Sequence, residues 1–273
     1  MRVNKRRAKP DTRLQCGDIV RVPPMRVSEK IEHKPSQNLV RLLKQRVVYE
    51  SDDLLVVNKP SGLSVHAGSG VRLGLIEALR SGFDSSEGFE LVHRLDRATS
   101  GCILIAKNRS MLRHLQAGLR EEGVVIKRYF ALVEGRWPGD LTRVTLPLHK
   151  FSGENSAAHV VVDAALGKHA VTDFSVVHYY PGATLIDAYP LTGRTHQIRV
   201  HAAHYGHALL GDDKYGQAQT NNHWQALGLK RLFLHAHSLD LPLPDGSRLR
   251  LASPLDDDLS ALLERLTIER EPV

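Results

Sequence analysis

The sequence predicts an α+β protein, because strand-like runs come in groups and helix-like segments fall between them at irregular intervals. The chain has 273 residues, 42% of them hydrophobic and 25% charged, as in an ordinary folded protein. This length allows one large domain with a small appendage. The sequence contains no internal repeat and no low-complexity segment.

In the first half, two strands are predicted at 47–50 and 54–60, on either side of a turn at 51–53. A loop rich in glycine and proline follows, and a short amphipathic helix then ends near Gly82. The run C-I-L-I-A at 102–106 has the composition of a buried strand. Apolar residues at helical spacing predict a helix with Gly123 just past its end, over residues 109–122.

In the second half, strand-like runs occupy 128–134, 159–163, 172–180 and 184–191. Residues 195–205 have helical character, since Ile198, Ala202 and Tyr205 recur at i, i+4 and i+7. A last helix begins with three aspartates at 256–258, which complement the helix dipole, and continues with a leucine stripe.

The positive charge is concentrated at the start of the chain. Residues 1–46 hold 13 Lys and Arg against 4 Asp and Glu, whereas the rest hold 24 against 26. Such asymmetry indicates an arm that binds a polyanion, with a solubilising tail as the alternative. Residues 28–46 are polar without a clear period, which favours a linker.

Cellular location is predicted from two features of the sequence. Cys16 and Cys102 lie far apart and form no C-x-x-C motif, so a reducing cytoplasm is expected. No apolar run approaches 18 residues and no signal-peptide pattern is present, so neither membrane spanning nor secretion is indicated.

The segment H-R-L-D-R-A-T-S-G (93–101) places one carboxylate, Asp96, between Arg94 and Arg97. A nearby cation keeps a carboxylate ionised, which suits a nucleophile and equally suits a structural salt bridge. A second candidate is Arg199, which lies one step from the apolar helix residue Ile198. An arginine there can reach a carboxylate or a phosphate, or remain a cation of the helix surface.

Two other kinds of site are disfavoured. His196, His201, His204 and His207 suggest a metal site, but H-E-x-x-H and an obvious carboxylate ligand are missing. Asn58, Lys59 and the glycine loop at 68–70 suggest a phosphate cradle, but no Walker motif or G-x-G-x-x-G occurs. We therefore expect neither a metal nor a nucleotide cofactor.

Five motifs occur in one order: N-K-P-S-G (58–62), H-R-L-D-R-A-T-S-G (93–101), K-R-Y-F-A-L-V-E-G (127–135), G-R-T-H-Q-I-R-V-H (193–201) and R-L-F-L-H-A (231–236). Together they resemble the RluA family of pseudouridine synthases. Three further segments, V-H-A-G-S-G (65–70), G-L-I-E-A-L-R (74–80) and L-Q-C-G-D-I-V-R-V-P-P-M-R-V (14–27), make the resemblance closest to the RluC type, which modifies 23S ribosomal RNA. The resemblance implies a mixed, mostly antiparallel central sheet with flanking helices and an active-site cleft. It also implies a catalytic domain over 47–273.

The same resemblance implies roles for individual residues. Asp96 matches the catalytic aspartate, Arg199 the arginine paired with it, and Tyr129 the active-site tyrosine that packs against the base. Arg94 matches an arginine that fills the RNA stack where the base has left, and Leu234 an apolar residue lining the uracil pocket. The reaction detaches uracil at N1, turns it and rejoins it at C5, which needs no cofactor or metal.

Residues 1–46 are similar, in L-Q-C-G-D-I-V-R-V-P-P-M-R-V (14–27), to the second half of an S4 RNA-binding domain. The helical first half is missing from this sequence, either by trimming or by nature. Arg6, Arg7 and Lys9 are expected to contact RNA phosphates. The expected partner is 23S ribosomal RNA or a large-subunit assembly intermediate, bound by a monomer. Alternatives are a synthase acting on transfer RNA and a non-catalytic ribosome-assembly module.

Overall fold

The structure is a computed structural model that describes residues 1–9, 11–22, 35–68, 73–84, 86–151 and 159–268. The chain divides into two compact units, Met1–His33 and Lys34–Val273. The smaller unit contains an antiparallel sheet of three short strands in the order β2-β1-β3: β1 (Arg2–Val3), β2 (Arg6–Arg7) and β3 (Val20–Arg21). Asn4 and Lys5 join β1 to β2 with positive φ angles, as in a tight two-residue hairpin.

The larger unit begins with a helix, and helices then alternate irregularly with groups of strands. In chain order its elements are α1 (Gln37–Gln45), β4 (Val47–Glu50), β5 (Leu54–Lys59), α2 (Leu75–Gly82), β6 (Glu90–Leu91), β7 (Ser100–Ala106), α3 (Arg109–Gly118), β8 (Ile126–Glu134), β9 (Arg143–Thr145), β10 (Leu148–Phe151), β11 (His159–Val162), β12 (Val171–Tyr180), β13 (Ala183–Pro190), α4 (Gln197–His204), α5 (Ala218–Ala226), β14 (Leu234–Pro242), β15 (Arg248–Ala252) and α6 (Asp257–Ile268).

Ten strands of the larger unit form one mixed sheet in the order β4-β5-β7-β14-β8-β13-β12-β9, with β6 added beside β7 and β15 beside β14. Strands β7 and β14 run parallel, and the other pairings within the described residues are antiparallel. Gly101 permits the parallel pairing, because a Cβ there would lie 2.3 Å from the carbonyl oxygen of Ala236. The predicted mixed, mostly antiparallel sheet is confirmed.

The central strands are buried on both faces, so apolar residues follow one another along them without alternation. On β7, Ile103 and Ile105 face the core that includes α2 and α4, whereas Cys102 and Leu104 face the core beneath α3. A third apolar cluster packs α6 against strands β8 and β13 of the sheet. Because these strands are buried on both faces, the loops that leave them toward the active site begin at rigid positions.

Two predicted boundaries differ from the structure. Residues 37–45 form α1 where a linker was expected, and residues 28–34 lie outside the described part of the chain. Ser36 caps α1 by accepting the amide N–H of Leu39, and Leu43 is buried in the core. The helix over 109–122 ends at Gly118, because turns replace the helix before β8 begins.

Candidate active site

Asp96 lies in the loop between β6 and β7, and hydrogen bonds join this loop to the one after β5. The amide of Gly62 donates to the carbonyl of Arg97 at 2.8 Å, and the Arg97 Nε donates back to the carbonyl of Gly62 at 2.9 Å. The hydroxyl of Ser61 donates to the carbonyl of Ala98 at 2.7 Å. These bonds fix the backbone next to Asp96, whose side chain is 25% exposed.

Lys59 stabilises the junction of the two loops from beneath. Its side chain is fully buried, and Nζ donates to the carbonyls of Pro60 at 2.9 Å, Leu63 at 2.9 Å and Arg97 at 3.3 Å. Burial lowers the pKa of Lys59 to about 7, against the opposing attraction of Asp96. Because all three protons have backbone acceptors, Lys59 serves the loop and does not support the phosphate-cradle interpretation.

Arg199 approaches Asp96 from α4. Its Nη1 lies 3.7 Å from Asp96 Oδ2, and its Nε and Nη2 each lie 2.7 Å from an oxygen of the fully buried Asp212. Burial disfavours the charge, but the bonds to Asp212 and the attraction of both carboxylates raise the pKa of Arg199. Arg199 is therefore fixed by Asp212, with one nitrogen left facing Asp96.

A second group faces Asp96 from the start of α4. His196 Nε2 lies 3.7 Å from Asp96 Oδ2, and His196 Nδ1 lies 2.7 Å from the hydroxyl oxygen of Tyr215. His196 adopts a left-handed backbone conformation with φ of 54°, which is uncommon for a residue with a side chain. Burial lowers the pKa of His196 to about 4, although Asp96 opposes this shift, so the imidazole is neutral at neutral pH.

The other histidines of the cluster have separate partners. His201 contacts the hydroxyl of Thr172 through Nδ1 and the carbonyl of Leu146 through Nε2, at 2.9 and 3.1 Å. His207 Nδ1 contacts the carbonyl of Glu134 at 2.8 Å. In the described ranges, no group of three or more His, Cys, Asp or Glu side chains is arranged to hold a metal ion.

A cavity of about 320 Å³ opens beside Asp96. Tyr129 from β8, Leu234 from β14 and Ile198 from α4 form part of its wall, together with Asp96 and Arg199. Tyr129 is buried, and this burial, with the nearby charge of Asp96, raises the pKa of its hydroxyl. Arg94, Lys127 and Arg194 also line it, so the cavity combines apolar and aromatic groups with polar and cationic ones, which suits a flat heterocycle with polar edges.

On the other side of Asp96 lies a wider cavity of about 690 Å³. Asp96 and the exposed Asp213 are its acidic groups, and its cationic side chains are Arg94, Arg97, Arg199, Lys214, Lys230 and Arg231. Arg94 is exposed and lines both cavities. Within the described residues, Arg94 and Arg97 form no ion pair with Asp96.

The cations predicted to contact RNA from the N-terminus belong to the smaller unit. Arg6, Arg7 and Lys9 are all exposed there. Their predicted contacts with RNA stay a prediction. Residues 23–27, which complete the S4-like motif, lie outside the described part of the chain.

Sequence reasoning did not single out Asp212 or Tyr215, which hold the two groups that face Asp96. Both belong to the segment G-D-D-K-Y-G (211–216), which follows the buried residues Leu209 and Leu210. An acidic pair directly after an apolar run was the available signal. Such a pair predicts a buried carboxylate only when the cation that it binds, here Arg199, is already known.

Comparison with protein-family models matches residues 53–204 to the RNA pseudouridylate synthase family. A ribosomal large subunit pseudouridine synthase C from Pasteurella multocida is 48% identical over 270 residues, which cover 97% of this chain and 82% of that protein. The protein of the same name from Escherichia coli K12 is 45% identical, covering 97% of this chain and 84% of its own.

Two solved structures agree with the fold. Human RNA pseudouridylate synthase domain containing 4 superposes with a TM-score of 0.69 at 26% identity, covering 84% of this chain and 96% of the human chain. Human RNA pseudouridylate synthase domain containing 1 gives a TM-score of 0.62 at 29% identity, covering 83% and 96%. The chain therefore belongs to the RNA pseudouridylate synthase family, and within it to the RluC type that the sequence motifs predicted.

Proposed function

We propose that this protein isomerises specific uridines of 23S ribosomal RNA to pseudouridine, with Asp96 as the reacting carboxylate. The observation that carries the proposal is the position of Asp96, which faces the buried Arg199 and lines both the cavity that holds Tyr129 and Leu234 and the larger cavity with six cations. The similarity to the ribosomal large subunit pseudouridine synthases of Pasteurella multocida and Escherichia coli supports ribosomal RNA as the substrate.

The two cavities fit the two chemical parts of a nucleotide. The smaller cavity would take the flipped uracil against Tyr129 and Leu234. The larger cavity, with six cations and two acids on its walls, would take the sugar–phosphate backbone. A base has to leave its stack to reach Asp96, which costs a few kcal/mol. Arg94, exposed at the rim of both cavities, would fill the gap and offset part of this cost.

The reaction conserves every atom. The bond from N1 to C1′ breaks, the uracil turns within its cavity, C5 bonds to C1′, and the proton on C5 is replaced by one on N1. Asp96 would act as a nucleophile at C1′ or as a base on the sugar; both routes use the same oxygen. Contact of the detached base with Tyr129 and Leu234 would limit its loss to water.

Residues 1–46 would act as a partial S4-like RNA-binding segment, and residues 47–273 would form the catalytic domain. The exposed cations Arg6, Arg7 and Lys9 support this division, since phosphate contacts need accessible charge. The partner would be 23S ribosomal RNA or a large-subunit assembly intermediate, bound by a monomer in the cytoplasm. The described residues contain no helix long and apolar enough to cross a membrane.

The test is tritium release from 23S RNA labelled at C5 of uridine. We expect the wild type to release tritium and Asp96→Asn to release none above background, because an amide is neither a nucleophile nor a base. Asp213→Asn is the matched control, since Asp213 also lies near Arg199 but is 95% exposed. Equal release by wild type and Asp96→Asn would remove Asp96 from the chemistry.

Mapping of the modified positions tests the choice of RNA. We expect pseudouridine at discrete positions of 23S RNA after incubation with the wild type and none after incubation with Asp96→Asn. Transfer RNA serves as the competing substrate in the same reaction. Modification of transfer RNA alone would keep the catalytic proposal and overturn the choice of ribosomal RNA.

A further inference from the structure

Tyr215 contacts both groups that face Asp96. Its ring lies 5.1 Å from the Arg199 guanidinium carbon, and its hydroxyl lies 2.7 Å from His196 Nδ1. The backbone amide of Tyr215 donates to Asp212 at 3.1 Å, and Asp212 in turn binds Arg199. One side chain is thus placed to influence both partners of the reacting carboxylate.

The hydrogen-bond directions around Tyr215 assign the proton positions on His196. The backbone amide of Val160 donates to the Tyr215 oxygen at 3.1 Å, so that oxygen already accepts one proton. Within the described residues, its other polar contact is His196 Nδ1, so a hydroxyl proton directed there has an acceptor and one directed elsewhere has none. A neutral imidazole that accepts at Nδ1 carries its own proton on Nε2, the nitrogen that faces Asp96.

Burial keeps both members of this arrangement uncharged. It raises the pKa of the Tyr215 hydroxyl and lowers that of His196. The charged groups around His196 are Asp96, Arg199, Lys214 and Asp212, and they include both signs. A neutral N–H can orient a carboxylate without neutralising it, whereas a second full cation would weaken its nucleophilicity.

We propose that Tyr215 and His196 are positioning residues: the Tyr215 hydroxyl fixes the His196 tautomer, and the His196 Nε2–H orients Asp96 for attack. This inference rests on the proposed role of Asp96. The 3.7 Å between Nε2 and Oδ2 is longer than a hydrogen bond. Catalytic hydrogen bonds are often long before substrate binds, and this one shortens when the nucleotide enters. The left-handed backbone at His196 is the local strain that aims the ring.

The first variant to test is Tyr215→Phe, which removes the hydroxyl and keeps the ring beside Arg199. The imidazole can then carry its proton on Nδ1, which leaves Nε2 without a proton to donate to Asp96. We expect the single-turnover rate on 23S RNA to fall about 10-fold. The dissociation constant for RNA should change less than about 2-fold, because no RNA-binding group is altered. Tyr179→Phe, which removes a hydroxyl that donates to the Trp137 carbonyl, is the control and should retain the wild-type rate.

Variants of His196 distinguish orientation from packing. His196→Gln keeps a neutral N–H donor that has no tautomer to invert, so it should retain most of the wild-type rate. His196→Leu fills the space without a donor and should lose at least as much as Tyr215→Phe. A glutamine variant as slow as the leucine variant would overturn the proposal.

The double variant Tyr215→Phe with His196→Gln gives the sharpest comparison. If Tyr215 acts through the imidazole tautomer, removing its hydroxyl has no further effect once glutamine replaces the histidine. A further 10-fold loss in that background would overturn the proposal. Tritium release by the wild type but not by Asp96→Asn shows throughout that Asp96 chemistry operates, so additive losses in such an enzyme reject the positioning role alone. An inactive wild type rejects the proposed function itself.

Discussion

Arg199 and Arg6 carry the same guanidinium group, and the protein surrounds them in opposite ways. Arg199 is 5% exposed and forms two bonds of 2.7 Å with Asp212. Arg6 lies on the exposed strand β2. A buried, paired cation acts through its exact atomic position over a few ångströms, whereas an exposed one acts through charge that salt screens within about 10 Å.

The same contrast separates two cations of the larger unit. Lys59 is buried with three carbonyl partners, whereas Arg94 is exposed at the rim of the two cavities. We propose that the buried cations shape the active site and that the exposed cations would recruit RNA. Substitutions of the first kind should change turnover or folding, and those of the second kind should change binding.

The largest effect is expected from Arg199→Lys, which keeps the charge and removes the two-pronged bond to Asp212. We expect kcat to fall about 10²-fold or more, as when other preorganised donors are removed. Arg143→Lys is the matched control, because Arg143 forms a similar two-pronged bond with Asp173 but is 60% exposed. Initial rates of tritium release measure both. Equal losses of kcat in the two variants would show that the buried pair contributes no more to turnover than the exposed one.

The next effect is on stability and is tested with Lys59→Met. The pKa of Lys59 is about 7 in the folded protein and about 10.4 in an unfolded chain, so between these values the unfolded chain binds the extra proton. The unfolding free energy of the wild type should therefore rise with pH relative to the variant, by up to about 1.4 kcal/mol per pH unit.

Below pH 7 both states of Lys59 are protonated, and the difference between wild type and Lys59→Met should be constant. Urea denaturation at pH 6, 8 and 9 measures these differences. The exposed Lys150 provides the control variant Lys150→Met, for which the difference should not change with pH. A flat difference for Lys59→Met above pH 7 would show that its amine stays charged in the folded protein.

The strands and helices that were predicted correctly are those that a pattern of residues close together in the chain specifies. Strands β4 and β5 were predicted because V-V-Y-E and L-L-V-V-N-K flank a polar turn. Helix α1 was missed although Ser36 caps it and Leu39, Val40 and Leu43 recur at helical spacing, because the polar residues before it favoured a linker. The short strand β9 and the helix α5 have too little periodicity to be predicted.

In the candidate site, too, residues without a local sequence pattern could not be predicted. Motifs matched to a family identified Asp96 and Arg199, which the structure brings within 3.7 Å. The partners Asp212 and Tyr215 could not be predicted, because their roles depend on the path of the chain after α4. The distances that define them join residues 13 and 19 positions apart, through a turn that no local pattern specifies.

A smaller effect is expected from Arg94→Gln. If Arg94 fills the stack after the base leaves, kcat/KM should fall about 10-fold on RNA whose target uridine is stacked in a helix. The loss should be smaller when the target lies in an open loop, where no unstacking is needed. Arg109→Gln is the control, since Arg109 is 81% exposed on α3. Equal losses on both RNAs would reduce Arg94 to a phosphate contact.

The smallest effect on turnover is expected from neutralising Arg6, Arg7 and Lys9 together as glutamines. Each phosphate contact that is lost should reduce the slope of log affinity against log salt by about 0.7 for a single-stranded RNA and 0.9 for a duplex. If all three contacts are lost, binding at 50 mM salt should therefore weaken roughly 40- to 130-fold more than binding at 300 mM salt, and kcat should be unchanged. Fluorescence anisotropy with a 23S RNA fragment measures the slope for the triple variant and for Arg199→Lys. Because Arg199 is buried and paired, Arg199→Lys should keep the wild-type slope while its kcat falls. Identical slopes for the wild type, the triple variant and Arg199→Lys would show that the exposed N-terminal charge does not bind RNA.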